Sequence, residues 1–274
     1  MKLLIATDME GISGVVNWDQ VTPGHAEYAR FRLLMTQEVN AAIRGAFEAG
    51  AGEVLVTDGH WAGSNLLIEE LDRRVRLNSG DFSPLQMVQG IDDTVQGVLL
   101  VGYHARAGTP NAILDHTWSS STVANLWLNG TLMGEAGLNA AVCGHFGAPV
   151  LMVSGDQAVC AEAMKLLGQI EVVVVKNAVG RMVAECLAPV AAQEKICEAA
   201  ARAVGRLAHG QAPEPFRLST PVQVEVELFN SDMADRASLL PETRRQGGRR
   251  IEFMADDALQ AYQWFISAVG LARR

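Results

Sequence analysis

Five short apolar runs recur along the first two thirds of the chain, and they constrain its fold more than any other feature. They are Leu3–Thr7, Glu53–Thr57, Gly97–Gly102, Pro149–Ser154 and Glu171–Lys176. Each run is continuously apolar and does not alternate with polar residues, which is typical of a strand buried on both faces. The chain is therefore expected to build a sheet that is covered by other elements on each side.

Segments with helical periodicity separate these runs. Apolar residues between Phe31 and Ala46 follow i, i+3, i+4 spacing, and Gly50 ends that helix. Further helices are predicted over residues 136–146, 190–208 and 256–272, and a short strand over 75–78. Buried strands that alternate with helices predict an α/β fold, with a mostly parallel sheet covered by helices on both faces.

Two segments depart from this pattern, and the second of them predicts a smaller C-terminal α+β portion. Asn129-Gly130 lies between two apolar runs, which is a strong signal for a β-hairpin. Residues 222–229 alternate between apolar and polar side chains, as a half-exposed strand does. The stretch His209–Phe216 resembles a linker. We therefore predict an α/β domain with the candidate site over residues 1–210. Residues 211–274 form an α+β portion, which either packs into the same domain or serves oligomerisation.

Charge and composition exclude several classes of protein. The 274-residue chain has a net charge of −9, and its one basic cluster surrounds Gly247-Gly248, as expected for an exposed hairpin tip. A nucleic-acid partner is therefore not expected. No apolar run approaches the ~20 residues of a membrane span, and the N-terminus does not resemble a signal peptide. The cysteines lack CxxC spacing and are interpreted as buried free thiols in helical segments, which favours a cytoplasmic protein. They are Cys143, Cys160, Cys186 and Cys197.

Acidic and imidazole side chains follow three of the predicted strands. Asp8 and Glu10 come directly after the first strand, Asp58-Gly59-His60 ends the second, and His104 follows the run at Gly97–Gly102. Glu135 begins the helix after the hairpin. Because ligands bind beyond the carboxyl ends of parallel strands, we expect these side chains to meet at one edge of the sheet.

Carboxylates and imidazoles without thiolates suit zinc, or a manganese- or cobalt-like ion. The candidate ligands exceed one tetrahedral site, which favours two adjacent metal ions of the kind that assist hydrolysis. Simpler interpretations exist for single residues: Glu135 can favour a helix N-terminus, and Asp58 can form a turn. His116 lies in a segment without helical periodicity, twelve residues after His104, and is a candidate general acid or base.

Several segments together resemble the D-aminopeptidase DppA family, the M55 metallopeptidases. The matching segments are DMEGISG (8–14), VLVTDGH (54–60), MVQGIDDT (87–94), GYHARAGTP (102–110), HTW (116–118), GEAGLNA (134–140) and PVLMVSGD (149–156). The resemblance spans most of the chain in order and becomes loose after about residue 210.

The resemblance implies an aminopeptidase with two zinc ions that acts on short peptides with an N-terminal D-amino acid, such as D-Ala-D-Ala. It implies that Asp8 bridges the metals, that Glu10 and His60 complete one site, and that His104 and Glu135 complete the other. His116 matches the catalytic histidine, and the family forms ring-shaped homo-oligomers. The residues alone leave alternatives open: another binuclear hydrolase, such as a general aminopeptidase, an amidase or a phosphoesterase, or a non-catalytic metal-binding assembly protein.

Overall fold

The five apolar runs form the central strands of one seven-stranded sheet in a computed structural model, which describes residues 1–273. With strands numbered along the chain, the spatial order is β3 (Arg76–Asn78), β2 (Glu53–Asp58), β1 (Lys2–Thr7), β4 (Gly97–Tyr103), β7 (Val150–Asp156), β8 (Glu171–Gly180) and β9 (Val183–Cys186). All neighbouring pairs are parallel except β8 and β9, which pair antiparallel. The predicted mostly parallel sheet is confirmed.

The strand order reverses direction between β1 and β4. The chain passes from β1 outward to β2 and β3, and then returns to place β4 on the other side of β1. In register, Thr7 at the end of β1 lies between Asp58 of β2 and Val101 of β4. The carboxyl ends of these three strands therefore meet at the point where parallel α/β sheets form their binding crevice.

Helices cover both faces of this sheet, as predicted. Helices α1 (Tyr28–Glu48) and α4 (Pro189–Ala208) pack on the face that receives Leu3 and Ile5 of β1. Helices α2 (Glu135–His145), α3 (Gln157–Leu167) and α6 (Ala258–Ala272) belong to the core on the opposite face, which receives Leu4 and Ala6. Successive strand residues point to opposite faces, so a continuous apolar run supplies both cores.

A second, antiparallel sheet joins the core on the α2–α3–α6 side. Its spatial order is β11 (Arg244–Arg245), β12 (Arg250–Ala255), β10 (Val222–Leu228), β5 (Val123–Leu128) and β6 (Thr131–Leu132), and α5 (Ser231–Ala237) follows β10. The predicted hairpin is confirmed: Asn129 and Gly130 have φ of 48° and 74° between β5 and β6. Strand β10 buries alternate residues and pairs with β5, which precedes residue 210. The division of the chain at residue 210 stays a prediction.

Two elements and two cysteines differ from the expectations. Helix α3 and strand β9 were not predicted. Helix α3 is short, and the Asp156 side chain that caps its N-terminus was not recognised as a helix signal. Strand β9 buries no residue completely, so it has no apolar run. The four cysteines are free, but the interpretation of all four as buried residues of helices is wrong for Cys186 and Cys197. Both are only half-buried, and Cys186 ends β9, where its side chain lies at the edge of the sheet.

Within residues 1–273, no helix combines the length and the apolar character that crossing a membrane requires.

Candidate metal centre

The chain turns sharply after β1 and brings two carboxylates to the edge of the sheet. Asp8 follows the last strand residue, and Glu10 lies in the turn, so the chain is not extended between the two acids. Gly11 donates its backbone N–H to the carbonyl of Gly102 at 2.7 Å, and a Cβ at Gly11 would lie 2.0 Å from the carbonyl oxygen of Tyr103. Only glycine permits this approach. The turn therefore sets both acids beside the end of β4.

Asp8, Glu10 and His60 form the first group. One ligand atom of each residue lies within 4.8 Å of the others, and all three side chains are buried. His60 Nδ1 lies 3.2 Å from Asp8 Oδ1 and 3.0 Å from Glu10 Oε2. Strand β1 supplies the two acids and strand β2 supplies the histidine, so the group spans two neighbouring strands.

His104, His116 and Glu135 form the second group, which meets the same distance limit. Glu135 Oε1 lies 3.3 Å from His104 Nε2 and 3.7 Å from His116 Nε2. The two imidazole rings stack with their centroids 4.0 Å apart. Asp8 connects the groups, because its Oδ2 lies 3.3 Å from His104 Nε2 while its Oδ1 faces His60. The six residues that the sequence singled out thus lie in two adjacent groups, and Asp8 of the first group connects them.

Each of the three imidazoles uses one ring nitrogen to bond a backbone carbonyl. The acceptors are the carbonyl oxygens of Val21 for His60 Nε2 at 2.8 Å, Ala105 for His104 Nδ1 at 3.0 Å, and Leu114 for His116 Nδ1 at 2.9 Å. A carbonyl only accepts, so these nitrogens carry the protons, and in the neutral ring the other nitrogen carries a lone pair. That second nitrogen faces carboxylate oxygens in every case, which is the orientation of a histidine that binds a metal.

Three buried atoms at the centre have no hydrogen-bond partner: Asp8 Oδ2, Glu10 Oε2 and His104 Nε2. Burial raises the pKa of Asp8 to about 7, and the neighbouring charge of Glu10 acts in the same direction. Burial also disfavours a charged His60 or His104, yet the carboxylates outweigh it and raise the pKa of both imidazoles well above the ordinary value. The cluster therefore favours additional positive charge at its centre.

This donor set fits zinc. Each group offers three oxygen or nitrogen ligands and no thiolate, the composition of a catalytic zinc site that keeps a position open for water or substrate. The unpartnered atoms Asp8 Oδ2 and His104 Nε2 lie 3.3 Å apart, between the two groups. A carboxylate in this position could be a ligand of two adjacent metal ions.

Neighbouring residues hold the turns that carry the candidate ligands. Asp58 accepts the backbone N–H groups of Asn65 and Leu66 at 2.5 and 2.7 Å, and the Asn65 amide donates to the carbonyl of His60 at 2.5 Å. Asp58 thus shapes the turn that presents His60, in agreement with its interpretation as a turn former.

The sequence analysis missed Arg181, which contacts the segment around His116. Arg181 Nε donates to Asp115 Oδ1 at 2.7 Å, and its guanidinium lies 5.6 Å from the ring centre of Trp18. Trp18 in turn packs edge-on against His116, with ring centroids 5.5 Å apart. No sequence signal pointed to Arg181, because it lies in the turn before the unpredicted strand β9.

Comparisons with known proteins identify the family of this chain. The family model of peptidase M55, described as D-aminopeptidase, matches residues 1–267. The chain is 38% identical over 275 residues to the D-aminopeptidase of Bacillus subtilis (strain 168), across 100% of this chain and 98% of that protein. It also superposes with a TM-score of 0.95, at 38% identity and with the same coverage, on a solved structure described as the Zn-dependent D-aminopeptidase DppA from Bacillus subtilis, a self-compartmentalizing protease. The resemblance inferred from the sequence motifs is confirmed. The chain belongs to the peptidase M55 family of D-aminopeptidases and is a peptide hydrolase.

Proposed function

We propose that this protein is a zinc-dependent aminopeptidase that hydrolyses short peptides with an N-terminal D-amino acid, of the D-Ala-D-Ala type, at a centre of two metal ions. The observation that carries the proposal is the pair of adjacent three-residue groups that Asp8 connects. In this proposal Asp8 would be a ligand of both ions. Glu10 and His60 would complete one site, and His104 and Glu135 would complete the other, which leaves His116 of the second group free for proton transfer. The zinc dependence and the D-selectivity of the Bacillus subtilis relative support the choice of metal and substrate.

When bound, the two zinc ions supply a Lewis acid for the scissile carbonyl and lower the pKa of a water molecule towards about 7. The protein holds the ligands rigidly for this task. Glu135 Oε1 also accepts the backbone N–H of Trp118 at 2.6 Å, and each imidazole is oriented by its bond to a carbonyl. Because these side chains are buried, bulk water is excluded from the centre and electrostatic effects are strengthened there.

His116 is the proposed proton carrier. Its Nδ1 donates to the carbonyl of Leu114, so Nε2 is the atom that accepts and releases a proton. Burial and the neighbouring His104 lower the pKa of His116, which leaves the ring neutral at physiological pH. A neutral Nε2 accepts the proton of the attacking water and then donates it to the departing amine. Such acid–base groups typically contribute about 10²–10⁴-fold to the rate.

Self-association into a ring-shaped homo-oligomer that encloses the active sites is the second part of the proposal. The description of the Bacillus subtilis relative as self-compartmentalizing supports it. Two large aromatic side chains near the turn that carries His60 are also exposed: Trp61 by 64% and Phe82 by 87%. Exposed apolar groups of this size are typical of contact surfaces.

The free cysteines support a cytoplasmic location.

Hydrolysis of matched substrates by zinc-loaded protein tests the proposal. We expect release of D-alanine from D-Ala-D-Ala, much slower hydrolysis of L-Ala-L-Ala, and no hydrolysis of a phosphate monoester. Asp8→Ala protein, prepared in the same way, controls for contaminating peptidases. Comparable turnover of the two dipeptides would indicate a general aminopeptidase, and preferred cleavage of the phosphate ester would refute peptide hydrolysis as the function.

A further inference from the structure

Lys176 is buried next to the metal centre and has no part in the mechanism above. Among residues 1–273 it is the only lysine or arginine whose surface is almost completely buried, with 1% exposed. It lies on β8, whereas the candidate ligands follow β1, β2 and β4 or begin α2. A buried ammonium group loses its hydration, which is destabilising unless its surroundings compensate the charge. Its contacts therefore show what the charge does.

The three protons of the ammonium group meet three backbone carbonyls of one loop. Lys176 Nζ donates to the carbonyl oxygens of Glu10 at 2.5 Å, Ile12 at 2.8 Å and Val15 at 2.8 Å. An ammonium has three donors, so this arrangement uses its full capacity. The loop wraps its carbonyls around a single positive charge, much as it would surround a bound monovalent cation.

Other bonds fix the same loop at a different residue. The N–H of Ser13 donates to Glu38 Oε1 at 2.9 Å, and the Ser13 hydroxyl donates to the carbonyl of Leu187 at 2.7 Å. These bonds hold the middle of the loop. Lys176, in contrast, bonds the backbone carbonyl of Glu10. Glu10 is itself a candidate ligand, and its Oε2 lies 3.0 Å from His60 Nδ1.

We infer that Lys176 is a positioning residue for the first group: its ammonium acts as a tethered cation that closes the loop from Glu10 to Val15 and so holds the Glu10 carboxylate towards His60. This inference rests on one part of the proposed function, namely that the first group binds zinc. Among residues 1–273, no hydrogen bond or ion pair joins the second group to the loop from Glu10 to Val15, and Asp8, which connects the two groups, donates its backbone N–H to Val101 of β4. Loss of Lys176 should therefore weaken one zinc site and spare the other.

Substitution by methionine isolates the charge from the volume of the side chain. Lys176→Met keeps a long unbranched chain but removes the ammonium donor from the carbonyls of Glu10 and Val15, whereas the carbonyl of Ile12 keeps the N–H of Val15 at 3.2 Å. Buried carbonyls that lose their donor are destabilising. The loop would open to reach water. Because groups that orient metal ligands typically change metal affinity by about 10–100-fold, the first group should lose zinc affinity by that factor.

The test measures zinc affinity by competition with a chromogenic chelator in two backgrounds. In His104→Ala protein the first group remains, and we expect Lys176→Met to lower its zinc affinity by about 10–100-fold. In His60→Ala protein the second group remains, and we expect a change of less than about twofold, because the loop that Lys176 closes carries Glu10 and none of His104, His116 and Glu135. Val226→Ala, a buried change in β10 of the second sheet, controls for a general loss of stability.

Equal losses in the two backgrounds, or no loss in His104→Ala protein, would overturn the inference. Neither result depends on hydrolysis of any substrate. Failure of the parent protein to bind zinc at all would instead refute the proposed metal centre, and the inference with it.

A second variant covers the case in which Lys176→Met does not fold. Lys176→Ala removes a propylammonium unit, so adding propylammonium should restore the zinc affinity of the first group, whereas 1-propanol should not. Both are measured where the circular dichroism spectrum matches that of the parent protein. Equal rescue by the two additives would show that the side chain only fills space, and rescue by neither would refute the role of the ammonium.

Discussion

The buried carboxyl of Glu38, which contacts the loop that carries Glu10, leads to a quantitative prediction about stability. This side chain is buried in α1, its Oε1 accepts the N–H of Ser13, and its Oε2 has no hydrogen-bond partner. Burial raises the pKa of Glu38 from an ordinary 4.5 to about 7, although the bond from Ser13 and the charge of Lys176 act in the opposite direction. The native protein thus keeps this proton at pH values where the unfolded chain has lost it.

The sign and size of the pH effect follow from this difference. Between pH 4.5 and about 7 the native state binds more protons than the unfolded state, so stability falls as the pH rises. Each pH unit in this interval costs about 1.4 kcal/mol, which gives a total loss of about 3 kcal/mol from Glu38 alone. Glu38→Gln cannot ionise and escapes this loss. The side-chain amide that this substitution introduces leaves one buried N–H donor unpaired, which lowers the free energy of unfolding by an amount that does not depend on pH.

Urea unfolding of the parent protein and Glu38→Gln at several pH values between 4.5 and 7.5 measures the effect. The free energy of unfolding of the variant, minus that of the parent, should rise by about 3 kcal/mol across the interval. Glu194→Gln, on the exposed face of α4, controls for the loss of one carboxylate. A difference that does not change with pH, or that falls, would refute the reasoning and indicate a carboxylate held ionised by Lys176.

Three further predictions concern the centre itself. His116→Ala should lower kcat by about 10²–10⁴-fold while the zinc content stays near two equivalents per chain; loss of zinc in elemental analysis would make His116 a ligand instead. Asp8→Ala should lower the occupancy of both zinc sites, whereas His60→Ala should empty mainly one, and equal effects of the two variants would contradict the bridging role of Asp8. Arg181→Gln removes the ion pair with Asp115, the neighbour of His116, and should lower kcat by up to about a hundredfold with little change in zinc content. An unchanged kcat would show that Arg181 does not position the segment around His116.

The fold and the neighbourhood of the candidate site could be predicted because both depend on regular features. Continuous apolar runs separated by helices dictate a covered parallel sheet, and the carboxyl ends of such strands meet at one edge. Asp8, His60 and His104 each follow a strand, so their approach did not require knowledge of side-chain positions. Glu135 was less certain, since an acid at a helix N-terminus has an ordinary explanation.

The details of the loop around Glu10 could not be predicted from the sequence. The sharp turn depends on the approach of Gly11 to the end of β4, a contact between residues about ninety positions apart. Lys176 ends an apolar run and has the appearance of a strand residue that reaches solvent, yet tertiary packing places its ammonium against carbonyls more than 160 residues earlier in the sequence. Local patterns carry no information on such long-range contacts.

Titration of metal-free protein with zinc tests the central claim most directly. The protein is stripped with a chelator, zinc is added in steps, and the rate of D-Ala-D-Ala hydrolysis is recorded against zinc equivalents per chain. Because Asp8 connects two adjacent three-residue groups, we predict that activity rises until two equivalents are bound and then stays constant. Full activity at one equivalent, or no hydrolysis of D-Ala-D-Ala at any zinc concentration, would contradict it.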